Sequence, residues 1–224
     1  MTLVVIMAGG RGQRLHPLTE HTPKPMLPVH GKPMVEEVID GFIAQGFKDF
    51  VLTTHYKAEL IENYLWDGSA KGCKISYIRE PEPLGTVGAL RNLKSDGSVI
   101  VCNADIQATV DYNHLLTHHA GACVKATVCL ALYQHQIPYG VYIDRRDTAI
   151  ELTGGESFSI LEKPIKNYSV VAGIYVLEPS VFSDIPEGPY DMPDLLAGTT
   201  VAPYHLTGHW ADIGTFESYN GANK

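Results

Sequence analysis

The chain has 224 residues, 45% of them hydrophobic, enough for a large core and more consistent with one domain than with two. A formal net charge of -8 and a pI of about 5.6 argue against a broad nucleic-acid footprint, so an anionic ligand must be held by local cations against the overall field. Four cysteines without a Cys-x-x-Cys pair disfavour disulfide and zinc frameworks, and the N-terminal apolar run is broken at Gly9, too early for a signal peptide or membrane span; the expectation is a cytoplasmic protein.

In chain order, Leu3–Met7 is a buried strand by its unbroken apolar run. The run Ala8-Gly9-Gly10-Arg11-Gly12-Gln13-Arg14 follows it directly, and Pro23-Lys24-Pro25-Met26 comes soon after. Glycines at a strand exit let a ligand approach bare backbone amides, and the arginines and lysine add fixed positive charge, a combination suited to a polyphosphate. The P-loop is excluded because Gly12 is followed by Gln13 and Arg14. The dinucleotide fingerprint is excluded because Leu15 stands at its third glycine and Glu36 and Glu37 sit in a helical pattern. Pro25 biases Lys24 to an extended backbone, which positions that lysine.

Helical spacing is expected at Met34–Gln45, Ala58–Trp66, Thr86–Leu93 and Tyr112–His119, alternating with strands at Phe50–Thr53, Ile75–Ile78 and Val99–Cys102. This order predicts an α/β fold, a three-layer Rossmann-like and mostly parallel sheet with right-handed crossovers. Further strands are expected at Val124–Leu132, Gly140–Asp144, Ile150–Leu152, Phe158–Glu162 and Val170–Leu177, separated by turn residues such as Asp144–Asp147 and Gly154–Gly155. They suggest an added mixed or antiparallel region that could cover a second substrate. No linker or repeat interrupts the chain, so residues 1–224 are taken as one domain, with a nucleotide-binding half to about residue 110 and a second half from about 111.

Ligands bind at the C-terminal ends of parallel strands, and the informative residues gather at such ends. Asp105 follows Val99–Cys102, Glu162-Lys163-Pro164 follows Phe158–Leu161, and Asp212 lies in Trp210-Ala211-Asp212-Ile213-Gly214. Asp105 could be a helix cap or turn residue; if it meets Asp212, the two make an oxygen site for Mg²⁺. Two carboxylates could also serve glycoside hydrolysis, which would not need the cationic turn. Glu80-Pro81-Glu82-Pro83-Leu84-Gly85-Thr86 is a stiff turn whose glycine admits a flat ring or a backbone. His118-His119 at an expected helix end suits a dipole role, Trp66 is expected in the core, and Tyr133, Tyr139, Tyr142 and Tyr175 are expected to pack.

Taken together, Met7–Leu15, Pro23–Val29, Pro83–Gly88, Asp105, Glu162–Pro164, Ala172-Gly173-Ile174-Tyr175 and Asp212–Gly214 resemble, in order, the signature of the sugar-1-phosphate nucleotidylyltransferases. The chain is most similar to the guanylyltransferase branch, enzymes that make GDP-activated mannose, heptose or glucosamine. The resemblance implies an Mg²⁺-dependent enzyme in which a sugar 1-phosphate attacks the α-phosphorus of a nucleoside triphosphate, here GTP, and pyrophosphate leaves. It implies Arg14, Lys24 and Asp105 as catalytic residues. Ala8, Gly9, Gly10, Arg11, Gly12, Arg14, Glu80, Gly85 and Thr86 would bind the nucleotide, and Tyr139, Gly140, Glu162, Lys163 and Ala172 the sugar phosphate. Asp105 and Asp212 would hold the metal. The partners implied are these two substrates, with no nucleic acid or membrane, in a monomer or homodimer. Val171 replaces the asparagine of many relatives, Ala104 replaces the glycine before Asp105, and a long C-terminal extension is not expected. Glu80 takes the place where thymidylyl relatives carry glutamine; a carboxylate accepts from both N1–H and N2–H of guanine, whereas uracil offers one donor. Alternatives are uridylyl or thymidylyl transfer, a CTP-dependent phosphocholine or phosphonate cytidylyltransferase, and a non-catalytic nucleotide-sugar sensor.

Overall fold

The computed structural model describes residues 2–144 and 158–223. The strand expected at Ile150–Leu152 and the glycine turn after it lie outside the described residues. The chain forms two compact units, Met1–Leu130 with Val171–Lys224, and Ala131–Val170.

The strands are β1 (Leu3–Met7), β2 (Pro28–Val29), β3 (Lys32–Pro33), β4 (Asp49–Thr54), β5 (Lys74–Arg79), β6 (Val99–Asn103), β7 (Ile106–Ala108), β8 (Ala126–Gln136), β9 (Gly140–Asp144), β10 (Phe158–Glu162), β11 (Ile165–Leu177), β12 (Val201–His205) and β13 (Trp210–Asp212). The helices are α1 (Met34–Ile43), α2 (Ala58–Leu65), α3 (Tyr112–Ala122), α4 (Met192–Ala197) and α5 (Phe216–Ala222). Seven strands form the central sheet in the order β12-β8-β11-β6-β1-β4-β5. β6, β1, β4 and β5 are mutually parallel, with Val5 opposite both Val51 and Val101, and β11 runs antiparallel to β6. The expected α/β architecture is therefore present, and its parallel centre comes from the βαβ alternation of the first half.

The centres of the parallel strands are unbroken apolar runs, as strands buried on both faces are. Val4, Val5 and Ile6 are fully buried. α1 turns Met34, Val35, Ile39 and Phe42 inward, and Glu36 and Glu37 in its first turn suit the positive end of its dipole. Phe42 stacks on Tyr112 at 3.9 Å between ring centroids, joining α1 to α3. A smaller apolar cluster of Leu15, Leu27, Val29, Met34 and Ile213 ties the glycine turn, the Lys24 segment and the Asp212 segment together. That cluster makes the site possible, since its members flank Arg14, Lys24 and Asp212 in sequence.

Several expectations are corrected. Thr86–Leu93 is not a helix; only Gly88–Leu90 forms a 3-10 turn. The amide of Val87 donates to Tyr190 O at 3.1 Å and that of Tyr190 to Leu84 O at 2.9 Å, so backbone pairing overrides the helical spacing. Trp66 ends α2 and is 70% exposed, outside the core. Tyr133, Tyr139 and Tyr142 are exposed, and of the four tyrosines only Tyr175 is buried. His119 lies in the last turn of α3, at the expected helix end, and its buried ring bonds Thr127 Oγ1 and Glu178 Oε1, each at 2.8 Å. β8 and β11 belong in part to the central sheet, and β9 with β10 forms the added antiparallel ladder.

Candidate active site

The turn after β1 is held from three sides. Ala8 N–H donates to Thr53 O at 3.0 Å, and Thr19 Oγ1 donates to Gly12 O at 3.0 Å. Gly12 has φ +64, and a Cβ there would lie 2.7 Å from Lys24 Cβ. Only glycine meets both conditions at no cost, so the turn lies directly on the stem of Lys24. Buried Leu15 anchors the following 3-10 turn and with it Arg14.

Lys24 is 8% exposed. Its Nζ donates to Asp105 Oδ2 and lies 3.9 Å from Asp212 Oδ1. The two aspartates are brought together by a ladder too short to show as alternation. β7 pairs β13 with Ile106 opposite Asp212, and Ile213 N–H donates to Asp105 O at 3.1 Å. Burial, and after it the charge of Asp105, pushes the Asp212 carboxyl above its ordinary range, while Lys24 and Arg14 pull it back. A Cβ on Gly214 would lie 2.9 Å from Asp212 Oδ1 and 3.0 Å from Arg14 Nη2, so the Asp212–Gly214 turn closes against the guanidinium.

The glycine turn, Arg14, Lys24 and Asp105 border a cleft of about 770 Å³. Ala8, Gly9, Gly10, Arg11, Gly12, Arg14, Lys24, Glu80, Gly85, Thr86 and Asp105 all line it. Asp212 is not among its lining residues, though it meets Lys24. Glu80 is 7% exposed; its Oε2 accepts from Leu84 N–H at 3.0 Å. Burial raises the Glu80 carboxyl, partly offset by that amide and by His55. Ala104 is buried at the cleft wall.

Ala172 is buried in β11 outside the cleft lining, and its carbonyl accepts from Trp210 Nε1 at 2.9 Å. Tyr139, Gly140, Glu162 and Lys163 belong to the second unit. There they gather at one end of the β9–β10 ladder, with Gly140 opposite Glu162 and Lys163 N–H donating to Tyr139 O at 3.2 Å. Lys163 has φ +46, a conformation unusual for a residue with a side chain and often associated with functional sites.

Sequence reasoning missed Thr53 and Asp191 in the cleft wall. Asp191 precedes α4 with Pro193 inside its first turn, so its sequence signal is that of a helix start. His114 and His118 lie one turn apart on α3, but His114 Nδ1 bonds Tyr204 OH at 2.8 Å and His118 Nε2 bonds Pro203 O at 3.1 Å. Among the described residues, no group of three or more His, Cys, Asp or Glu could hold a metal ion, and no helix is long and apolar enough to cross a membrane.

Comparison with known proteins extends the geometry. The family described as Nucleotidyl transferase matches residues 3–224. The mannose-1-phosphate guanyltransferase of Yarrowia lipolytica is 31% identical over 223 residues, 94% of this chain and 60% of that protein. The mannose-1-phosphate guanylyltransferase of Mycobacterium tuberculosis is 32% identical over 228 residues, 96% of this chain and 62% of that protein. This chain thus spans about 60% of the length of these relatives. The crystal structure of HddC from Yersinia pseudotuberculosis, complexed with GMP-PN, superposes with a TM-score of 0.77 at 26% identity, covering 99% of this chain and 98% of that one.

Proposed function

The chain belongs to the nucleotidyl transferase family, and from that premise we propose that it transfers a guanylyl group from GTP to a sugar 1-phosphate, releasing pyrophosphate. Mannose 1-phosphate is the acceptor that the names of its relatives favour. The observation that carries this reading is the meeting of Lys24 with Asp105 and Asp212 beside the glycine turn.

The attacking group in such a reaction is already an anionic phosphate oxygen, so no general base is needed. The difficulty is to bring two anions into line and to stabilise charge on the α-phosphate and the leaving pyrophosphate. The amides of Gly9, Gly10 and Gly12 with Arg11 and Arg14 hold the triphosphate. Lys24, buried at the foot of the turn, sits between the α-phosphate and the incoming sugar phosphate. Within the second unit, Lys163 is the residue the resemblance assigns to a sugar phosphate, and Glu162, Tyr139 and Gly140 those it assigns to the sugar; Ala172 belongs to the first unit, where its carbonyl is engaged by Trp210. Glu80 accepts from the donor edge of guanine, and Gly85 and Thr86 line the base.

Asp105 and Asp212 fit a magnesium ion. They are two partly exposed carboxylates that one lysine draws together; burial first, and then the charge of Asp105, raises Asp212, and a divalent cation would offset both. Magnesium ordinarily takes one or two carboxylates and completes its shell with water and phosphate oxygens. Bound there, it would neutralise charge on the phosphates. The field of the cleft is mixed, with Lys24 engaged by carboxylates, so the other cations there, Arg11 and Arg14, supply the first attraction for a triphosphate.

The test is a matrix of GTP, UTP, dTTP, CTP and ATP against a panel of sugar 1-phosphates and phosphocholine, read by pyrophosphate release and product mass. The expected product is a GDP-sugar. A preference for UTP or dTTP would overturn the role of Glu80, and nucleotide binding without pyrophosphate release would replace the enzyme with a sensor.

A further inference from the structure

The segment Gly188–Met192 has no role in the assignments above, yet it pairs with the second glycine loop of the cleft. Tyr190 N–H donates to Leu84 O and Val87 N–H to Tyr190 O, at 2.9 and 3.1 Å. A Cβ on Gly85 would lie 2.6 Å from Tyr190 O, and one on Gly88 would lie 2.8 Å from Gly188 O. These glycines therefore admit a neighbouring backbone, whatever else the cleft binds.

Asp191 fastens the pairing. Its Oδ1 accepts from Thr86 N–H at 2.9 Å and from Thr86 Oγ1 at 3.2 Å. Thr86 Oγ1 in turn accepts from Met192 N–H at 2.6 Å. Asp191 stands where an aspartate ordinarily caps the helix that follows, but its side chain makes no cap bond to α4. Its carboxylate is given to the loop instead. At the loop's other end Glu80 Oε2 holds Leu84 N–H. The three residues Leu84, Gly85 and Thr86 are thus clasped between two carboxylates, and all of them line the cleft.

We propose that Asp191 is a positioning residue of the nucleotide site. By holding Thr86 it fixes the Leu84–Thr86 loop in its binding shape before ligand arrives, and so sets affinity for the nucleoside end of the triphosphate and not the rate of transfer. Hydrogen bonds to an ionised acceptor are the stronger kind, and a loop ordered in advance loses less entropy on binding. The inference rests on the reading that this cleft takes a nucleoside triphosphate.

Asp191→Ala and Asp191→Asn separate this role from a purely structural one. In Asp191→Ala, amide hydrogen exchange at Thr86 should quicken without ligand while the melting transition stays cooperative. KM for GTP should rise about tenfold, the scale of one lost charge-assisted bond. kcat and KM for mannose 1-phosphate should stay within about twofold. Asp191→Asn keeps an acceptor oxygen and should recover most of the loss. An unchanged KM for GTP in Asp191→Ala, or a matched fall of kcat with either triphosphate or sugar phosphate saturating, would overturn the proposal. Calorimetric binding of the five triphosphates to wild type and Asp191→Ala gives the same answer without turnover. Failure of the transferase reading, no product from any pair, is thereby distinguished from failure of this one, equal affinities in the two proteins.

Discussion

Two glycine-bearing turns leave the C-terminal ends of parallel strands in this sheet, and they are built on opposite terms. The turn after β1 is open and cationic. A Cβ on Gly10 would meet nothing within 4 Å, and Arg11 and Arg14 stand beside it. The turn after β5 is clasped by Glu80 and Asp191 and lies against the backbone of residues 188–191. They approach at one point, where Glu80 Oε1 would lie 2.8 Å from a Cβ on Gly9. Glycine therefore serves two ends here: at Gly10 it leaves open space in the cleft, and at Gly85 it admits another segment of the same chain. The open turn suits mobile, highly charged phosphates, and the clasped one suits a flat, weakly charged base that needs a fixed wall.

The largest effect should come from the cationic side. Lys24→Ala or Asp105→Ala should lower pyrophosphate release by about 10²- to 10³-fold, as loss of one charge-stabilising group does, with the circular dichroism spectrum retained. Wild-type turnover in either variant would remove that residue from the site and erase the contrast. Next comes a paired substitution at the glycines. Gly85→Ala forces a side chain into φ +75 and onto Tyr190 O, and should cost about 1–3 kcal/mol in denaturant unfolding. Gly10→Ala should cost within about 0.5 kcal/mol, because its Cβ enters open space, but it should weaken GTP binding severalfold by filling that space. Equal destabilisation at the two positions would break the comparison.

Glu80→Gln should be gentler. It keeps one acceptor for Leu84 N–H but adds a donor facing the base, so the ratio of kcat/KM for GTP to that for UTP should fall about tenfold. An unchanged ratio would place base selection elsewhere. The smallest effect lies outside both turns. The Glu178 carboxyl is held below its ordinary range, first by Ser98 and then by buried His119, against burial. A lowered folded pKa stabilises the fold above the unfolded value, and that contribution is lost as pH falls through the folded one. Melting curves from pH 6 to pH 3 should fall less steeply for Glu178→Gln, with kcat at pH 7 unaltered.

What the sequence discloses and conceals follows the same contrast. The open turn is visible because its signals are local: an apolar run, glycines and arginines within a dozen residues. The apolar strands of the parallel centre are visible for the same reason. The second turn is legible as a turn, but half of its clasp is concealed because Tyr190 and Asp191 lie about a hundred residues away. Val87, Leu90 and Leu93 have helical spacing, and nothing nearby reveals that Tyr190 will pair with that stretch. The meeting of Asp105 with Asp212 depends on two three-residue strands, β7 and β13, too short for any period to register. Trp66 shows the converse failure, since aromatic bulk alone does not say that a helix end faces solvent.

The most direct test is a crystal structure of the protein with a non-hydrolysable GTP analogue. The triphosphate should lie on the Gly9–Arg14 turn with the guanine edge at Glu80 and its face along Leu84–Thr86. Phosphates bound away from Gly9–Arg14, or a base lying on that open turn, would contradict it.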